Sequence, residues 1–316
     1  MNDDVLSLPL IGSIQNSVGA GFLGNQAAFA VTNALGARLV HAVSSFATAH
    51  GSVAGRANVV AAPNDLRRQV AATIAARPGI IHVGYLPKAS HVDVVASALR
   101  DYTGVVLLDP VIGDYKKGLF VSEETALAIK ELLLPLAQII TPNRFEAEVL
   151  LGTGETDMSD YGYLNGLYDV GPETVIITSF EREPEKHRST TLFTNGYAYY
   201  RITGPYFSAY PAYGAGDVFA AGVSAFVGLG GSPFAAALLA TALASRSVAN
   251  TTRYGGASVD PVAALAKWEP LGYHTEDERA ARFCERSNVA IEAIKPKGDE
   301  APRLKFAPPK HQIMYG

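Results

Sequence analysis

Gly79-Ile80-Ile81-His82-Val83-Gly84-Tyr85-Leu86 is an apolar run of strand length, broken by a single histidine. It reads as a buried β-strand, with His82 as a core residue rather than a ligand. Residues 88–101 follow with Val92, Val95, Ala96 and Leu99 at helical spacing, and Val105 to Asp109 forms another strand ending in Asp-Pro. Strand, helix and strand in about thirty residues make a crossover unit, whose two strands lie parallel.

The same alternation extends both ways. Upstream, Val5 to Ile14 reads as a strand buried on both faces, with Pro9 marking an irregular start. A helix over about 22–35 and a strand over about 37–43 follow, then a Ser/Ala/Thr-rich segment, 44–58, that reads as a loop. Pro63-Asn64-Asp65 opens the next helix. Downstream, Ser122 caps a helix with Glu123 and Glu124 in its first turn. Gln138 to Asn143 is a strand running into a turn, Glu146 to Leu151 a short helix, and Val175 to Thr178 a sixth strand. Thr190 to Ile202, centred on Asn195-Gly196, is a hairpin. The implied fold is α/β: a doubly wound, mainly parallel sheet flanked by helices, with the hairpin as an antiparallel appendage. Residues 1–254 form this domain. Residues 255–316, with a helix at 276–287 and a strand or two, form a C-terminal extension.

Composition narrows the classes of function. The chain has 316 residues, of which 48% are hydrophobic, enough for a large core. A formal charge of −4 offers no basic field for nucleic acid. One cysteine, Cys284, excludes an intrachain disulfide and fits a reducing compartment. No apolar run approaches the roughly 20 residues of a membrane span, and Met1-Asn2-Asp3-Asp4 lacks the basic start of a signal peptide. The expectation is a cytoplasmic protein with small-molecule partners.

Ligands of such sheets bind at the carboxyl ends of the strands. Gln15-Asn16-Ser17, Tyr85, Asp109, Asp114, Thr141 to Asn143 and Thr178-Ser179 all follow their strands there. The sharpest signal is Gly214-Ala215-Gly216-Asp217, set before a small-residue helix. Glycines admit a ligand close to the backbone, and the helix start turns unpaired N–H groups and its positive dipole end toward it. An aspartate in an anion site would repel the ligand; it makes sense as the base that takes a proton from an attacking hydroxyl. Asp217 is therefore the candidate base, with the N–H groups of Gly214, Ala215 and Gly216 as the anion hole.

A rival motif is Gly19-Ala20-Gly21-Phe22-Leu23-Gly24, which matches the dinucleotide fingerprint after a strand and before a helix. That reading needs an acid about 20 residues on to hold a ribose. None occurs between Asp4 and Asp65. No phosphate-loop lysine motif is present either, and the histidines show no metal spacing.

Six segments in order resemble the pyridoxal kinase family of the ribokinase-like superfamily. They are Ser13-Ile14-Gln15 with Gly21, Gly24 and Asn25; Gly84-Tyr85; Asp109 to Asp114; Ile140 to Glu148; Gly171 to Ser179; and Gly214 to Ala221. The resemblance implies ATP-dependent phosphorylation of the hydroxymethyl group of a B6 vitamer, with Asp217 as base. It implies ATP contacts from Asp114, Asn143, Thr178, Ser179, Tyr213 and Gly216, under a loop at about 203–213. Mg²⁺ would be held by Asp109, Asp114 and Glu146, directly or through water, with a monovalent cation such as K⁺ near Asp109 and Thr178. The acceptor would meet Ser13, Asn16, Tyr85, and either Thr48 or His50.

Three departures bear on the acceptor. The family usually has Gln-Ser-His where this chain has Gln15-Asn16-Ser17, and its Ser-Asn-His-Thr loop is here Ser45 to His50. Ala215 stands where the family has threonine, which is the sugar-kinase form. The alternatives are a kinase of another hydroxymethyl heterocycle such as hydroxymethylpyrimidine, a sugar kinase, or a silent regulator that binds B6 or ATP. The resemblance also implies a homodimer, for which a small-residue face on the 22–35 helix could serve, though the same face could equally pack on the sheet.

Overall fold

The computed structural model describes residues 8–154, 158–207, 213–254, 258–266 and 275–295. In chain order its elements are β1 (Leu10–Val18), α1 (Asn25–Leu35), β2 (Arg38–Ala47), β3 (Asn58–Val60), α2 (Pro63–Ala75), β4 (Ile80–Val83), α3 (Ala89–Leu99) and β5 (Val105–Leu108). Then come β6 (Gly113–Asp114), β7 (Gly118–Leu119), α4 (Glu123–Ala128), β8 (Ile139–Ile140), α5 (Arg144–Leu151), α6 (Asp160–Tyr168) and β9 (Thr174–Glu183). The chain continues with β10 (Arg188–Thr194), β11 (Tyr199–Pro205), α7 (Ala215–Gly228), α8 (Pro233–Tyr254), α9 (Pro261–Leu265), α10 (Glu276–Glu285) and β12 (Ala290–Ala293).

One sheet runs in the order β12-β11-β10-β9-β8-β5-β4-β1-β2-β3. From β9 to β2 the pairings are parallel, while β10, β11, β12 and β3 join antiparallel. The central strands are apolar at consecutive positions because both faces are covered. Ile80, Leu107, Ile139 and Ile176 enter the core under α1, α7 and α8. Their neighbours Ile81, Leu108, Ile140 and Ile177 enter the opposite core, against α2, α3, α5 and α6, as the two-residue period of a strand requires.

The fold class agrees with the sequence reading, and several details differ. The hairpin is no appendage: β10 pairs with β9 and β11 with β12, so it extends the main sheet. β9 does not stop at Thr178 but continues to Glu183 through Ser179, whose φ of 49° marks a kink in the strand. The 44–58 segment is not all loop, since β2 runs to Ala47 and β3 pairs back on it. β1 begins after Pro9, at Leu10. The sequence reading passed over α6, whose Gly162 and Gly166 weaken its helical signal; Ser159 caps it, and Tyr161, Tyr163, Leu164 and Leu167 bury it. Ser122 caps α4 as expected, its hydroxyl accepting from the Thr125 N–H.

The small-residue face of α1, with Ala27, Ala28 and Val31, is buried in the core it shares with α7, leaving Phe29 as the exposed aromatic of that helix. Among the described residues no helix is long and apolar enough to cross a membrane. Residues 296–316 of the extension lie outside the described residues.

Candidate functional site

Gly214 precedes α7 with φ 89°, a conformation that favours glycine, and a Cβ there would lie 2.2 Å from the Phe22 carbonyl oxygen. α7 then opens with Ala215, Gly216 and Asp217, and the first helical hydrogen bond back to the turn is Val218 N–H to the Gly214 carbonyl, 2.9 Å. The preceding N–H groups have no helical acceptor, as at any helix start. A Cβ on Gly216 would meet open space, so this turn faces a cleft.

The half-buried Asp217 carboxylate is aimed by a distant segment. Its Oδ1 accepts from the Gly24 N–H at 2.8 Å. Gly24 has φ 56°, and a Cβ there would stand 2.2 Å from the Asn16 carbonyl oxygen. The Gly19–Gly24 motif thus serves close packing and orientation of Asp217. Desolvation raises the Asp217 carboxyl above its ordinary value, opposed by the N–H groups of Gly24 and of Asp217 itself. A second support was not legible in the sequence, where the extension showed no chemistry. Val259 N–H donates to the Tyr213 carbonyl at 3.2 Å, and Phe22 N–H donates to Ser258 Oγ at 3.0 Å.

Across the cleft stand the strand-end carboxylates. Asp109 is buried and accepts from Thr141 Oγ1 at 3.1 Å. Burial, then the charges of Glu146 and Asp217, push its carboxyl well above the ordinary range. Glu146 has both oxygens engaged: Ile112 and Gly113 N–H donate to Oε1 at 3.0 and 3.3 Å, and Asn143 N–H donates to Oε2 at 2.8 Å. Burial nevertheless pushes Glu146 up to about 8 against those donors. Asn143 is equally occupied, its Oδ1 accepting from Glu146 N–H and its Nδ2 donating to the Gly113 carbonyl. This reciprocal cap holds the 109–114 loop to α5. Asp114 Oδ1 accepts from Lys117 N–H at 2.6 Å and closes the β6–β7 turn. Thr178 N–H bonds the Pro142 carbonyl at 2.8 Å, which places Thr178 and Ser179 beside this loop.

No group of three or more His, Cys, Asp or Glu forms a ready metal cage among the described residues. The charges of Glu146 and Asp217 that raise the Asp109 carboxyl still favour a nearby cation. Asp109, with one hydrogen bond from Thr141, fits a magnesium ion that keeps its waters and leans on phosphates. The electrostatics predict a pH effect in the ligand-free protein. A carboxyl raised on folding stabilises the fold at acid pH, and that contribution is lost as pH rises through the folded value. The melting temperature of the wild type is expected to fall more between about pH 5.5 and 8 than that of Asp109→Asn, measured by calorimetry; equal slopes would count against the repulsion.

At the other end of the cleft, Ser13 is fully buried, donating to Asn25 Oδ1 at 2.7 Å and accepting from Gln15 Nε2 at 2.8 Å. Gln15 Oε1 and Asn16 Oδ1 are buried with no hydrogen-bond donor among the described residues. Thr48 Oγ1 accepts from Ala57 N–H at 3.0 Å and ties the base of its loop. His50 instead crosses to the Gly214 turn, its ring stacked on Tyr213 with centroids 3.8 Å apart. Desolvation, then the charges of Lys117 and Arg56, lower the His50 value. Tyr85 is half-buried, its carbonyl accepts from Ser44 Oγ at 2.8 Å, and desolvation raises its phenol. Residues 208–212 of the expected ATP loop lie outside the described residues. His82 is buried as expected but unpaired: neither ring nitrogen has a partner among the described residues, and burial holds it down to about 4.

Comparison with known proteins adds to this geometry. The family described as phosphomethylpyrimidine kinase matches residues 16–263. The hydroxymethylpyrimidine/phosphomethylpyrimidine kinase of Bacillus subtilis is 31% identical over 193 residues, 60% of this chain and 71% of that protein. A pyridoxal kinase of Corynebacterium diphtheriae is 30% identical over 223 residues, 66% of this chain and 77% of that one. The structure of pyridoxal kinase from Staphylococcus aureus in complex with AMP-PCP and pyridoxal superposes with a TM-score of 0.73 at 21% identity, covering 91% of this chain and 99% of that one.

Proposed function

The chain belongs to the phosphomethylpyrimidine kinase family of phosphotransferases, and from that premise we propose that it transfers the γ-phosphoryl group of ATP to the hydroxymethyl group of pyridoxal. The observation that carries the reading is the Asp217 carboxylate, fixed by the Gly24 N–H and placed in the first turn of a helix whose Gly214, Ala215 and Gly216 N–H groups have no acceptor among the described residues. Those N–H groups would take the charge of the migrating phosphoryl group, where most of the catalysis of phosphoryl transfer lies. Asp217 would take the acceptor's proton late in a loose transition state, so no strongly basic group is needed.

Nucleotide phosphates would lie over Gly214, Ala215 and Gly216, near Tyr213, Thr178 and Ser179, with Asp114 and Asn143 shaping the loop opposite. Magnesium bound with the nucleotide would neutralise phosphate charge and would be held by Asp109, with Glu146 and Asp114 reaching it through water. A monovalent cation near Asp109 and Thr178 belongs to the same reading, as does a homodimer. Asn16, His50 and Tyr85 would meet the acceptor ring. Of the two rival residues on the 48–57 loop, the stack on Tyr213 favours His50.

The second reading is a hydroxymethylpyrimidine kinase, favoured by the similarity to the Bacillus subtilis enzyme. The purified protein is offered ATP and magnesium with pyridoxal or with hydroxymethylpyrimidine, and the phosphate esters are separated by chromatography. We expect at least a tenfold higher kcat/KM for pyridoxal, a margin of about 1.4 kcal/mol. The reverse ratio would put the pyrimidine first.

A further inference from the structure

A lysine on the β6–β7 hairpin faces the same cleft and has no part in the chemistry above. The hairpin is anchored on both sides of its turn. Glu146 and Asn143 hold Ile112 and Gly113, and the Tyr115 hydroxyl donates to Glu148. Asp114 Oδ1 fixes the Lys117 N–H, and beyond the turn Phe120 N–H donates to the Ile112 carbonyl at 2.7 Å, so the backbone at Lys117 is set by contacts on either side. From there the Lys117 Nζ lies 5.1 Å from the centroid of the Tyr213 ring and 5.9 Å from that of Phe120. Tyr213 leads directly into Gly214 and is stacked on His50.

A solvated surface lysine normally points to water or to a carboxylate. Lys117 is exposed yet forms no ion pair among the described residues, and its ammonium lies over the ring of Tyr213, next to Gly214. A cation–π contact of this kind is weak at an exposed site, so an anion would readily draw the ammonium away. The cleft below also needs positive charge. Asp109, Glu146 and Asp217 are its acidic groups, with Arg56 the other cation near His50 and Tyr85. A polyphosphate entering beside the carboxylates meets repulsion that an ammonium would help magnesium and the backbone N–H groups offset.

We propose that Lys117 is a catalytic residue of the phosphoryl transfer, its ammonium leaving the Tyr213 ring to bond the γ-phosphoryl oxygens of ATP. The inference rests on the kinase reading of this site. In the step, the bond between the acceptor oxygen and the γ-phosphorus forms as the bridging oxygen–phosphorus bond breaks. The bridging electron pair stays on ADP, and the acceptor's proton passes to Asp217. Lys117 remains protonated throughout and neutralises part of the charge that a loose transition state spreads over the three equatorial oxygens.

The test compares wild type, Lys117→Gln and Lys117→Arg, each first shown to fold by its thermal melt. Calorimetry measures binding of AMP-PCP, which carries a γ-phosphoryl group, and of ADP, which does not. For Lys117→Gln we expect AMP-PCP affinity to fall about tenfold with ADP affinity unchanged, and kcat to fall about 100-fold with the acceptor KM within about threefold. Lys117→Arg should recover a substantial part of both losses. Unchanged AMP-PCP binding and kcat in Lys117→Gln, or equal losses for ADP and AMP-PCP, would overturn the assignment. If the wild type binds AMP-PCP but phosphorylates no alcohol, the kinase reading fails while the AMP-PCP comparison still decides the γ-phosphoryl contact. A wild type that binds neither nucleotide overturns both.

Discussion

Asp217→Asn is expected to lower kcat by about 10³-fold while leaving ATP affinity within about threefold of wild type, the signature of a lost general base. Asparagine keeps an oxygen for the Gly24 N–H, now 2.8 Å from Asp217 Oδ1, so the side chain stays in place while its capacity to take a proton goes. On the proposed reading the nucleotide would be held by backbone N–H groups that the substitution leaves untouched. Stability should move the other way. The Asp217 carboxyl is raised by desolvation and its charge disfavours the Asp109 carboxylate, so the neutral amide relieves a cost that grows with pH. At about pH 8 the variant should melt at or above the wild-type temperature. A coupled assay for ADP release, nucleotide calorimetry and a thermal melt check the three parts. Turnover near wild type would remove Asp217 from the role of base.

Gly214→Ala should damage fold and function together. The added Cβ would stand 2.2 Å from the Phe22 carbonyl oxygen, at a φ of 89° that an L-residue rarely adopts. Strain of that kind costs on the order of 1–3 kcal/mol before the clash is counted, so a melting temperature lower by several degrees is expected. The clash pushes on the segment that carries Gly24, the donor to Asp217. A kcat loss of about 100-fold should accompany it, because small displacements of positioned groups have effects of that size. Gly216→Ala is the control. Its Cβ meets open space and its position is helical, so stability should hold or rise by up to about 1 kcal/mol. Activity should still fall, because the methyl group would occupy the space left for phosphates. If Gly214→Ala melts like the wild type, the Phe22 contact is not the reason for glycine there.

Much of the site was legible because its parts are local. The Gly214 to Asp217 turn suggests an anion hole and a base within four residues, and the strand-end polar residues mark the sheet edge proposed to bind ligands. Other parts were hidden because their meaning depends on what faces them. Gly19 to Gly24 looked like a dinucleotide loop; only its approach to Asn16 and Asp217 shows why glycine stands at position 24. Ser258 and Val259 carry no motif, yet they brace Phe22 and Tyr213 from a segment that showed no chemistry in the sequence. Asn143 and Glu146 looked like free oxygen donors, whereas their hydrogen bonds bind the 109–114 loop.

The sequence by itself determined the α/β class, the direction of the central strands and the end of the sheet where the proposed site lies. These follow from residue periodicity and from the short range of helix and turn preferences. The tertiary structure decided how β10, β11 and β12 extend the sheet, which glycine orients Asp217, and that Lys117 and His50 each reach the ring of Tyr213. Those are contacts between segments far apart in the chain, chosen by packing and burial, and no local pattern of residues encodes them.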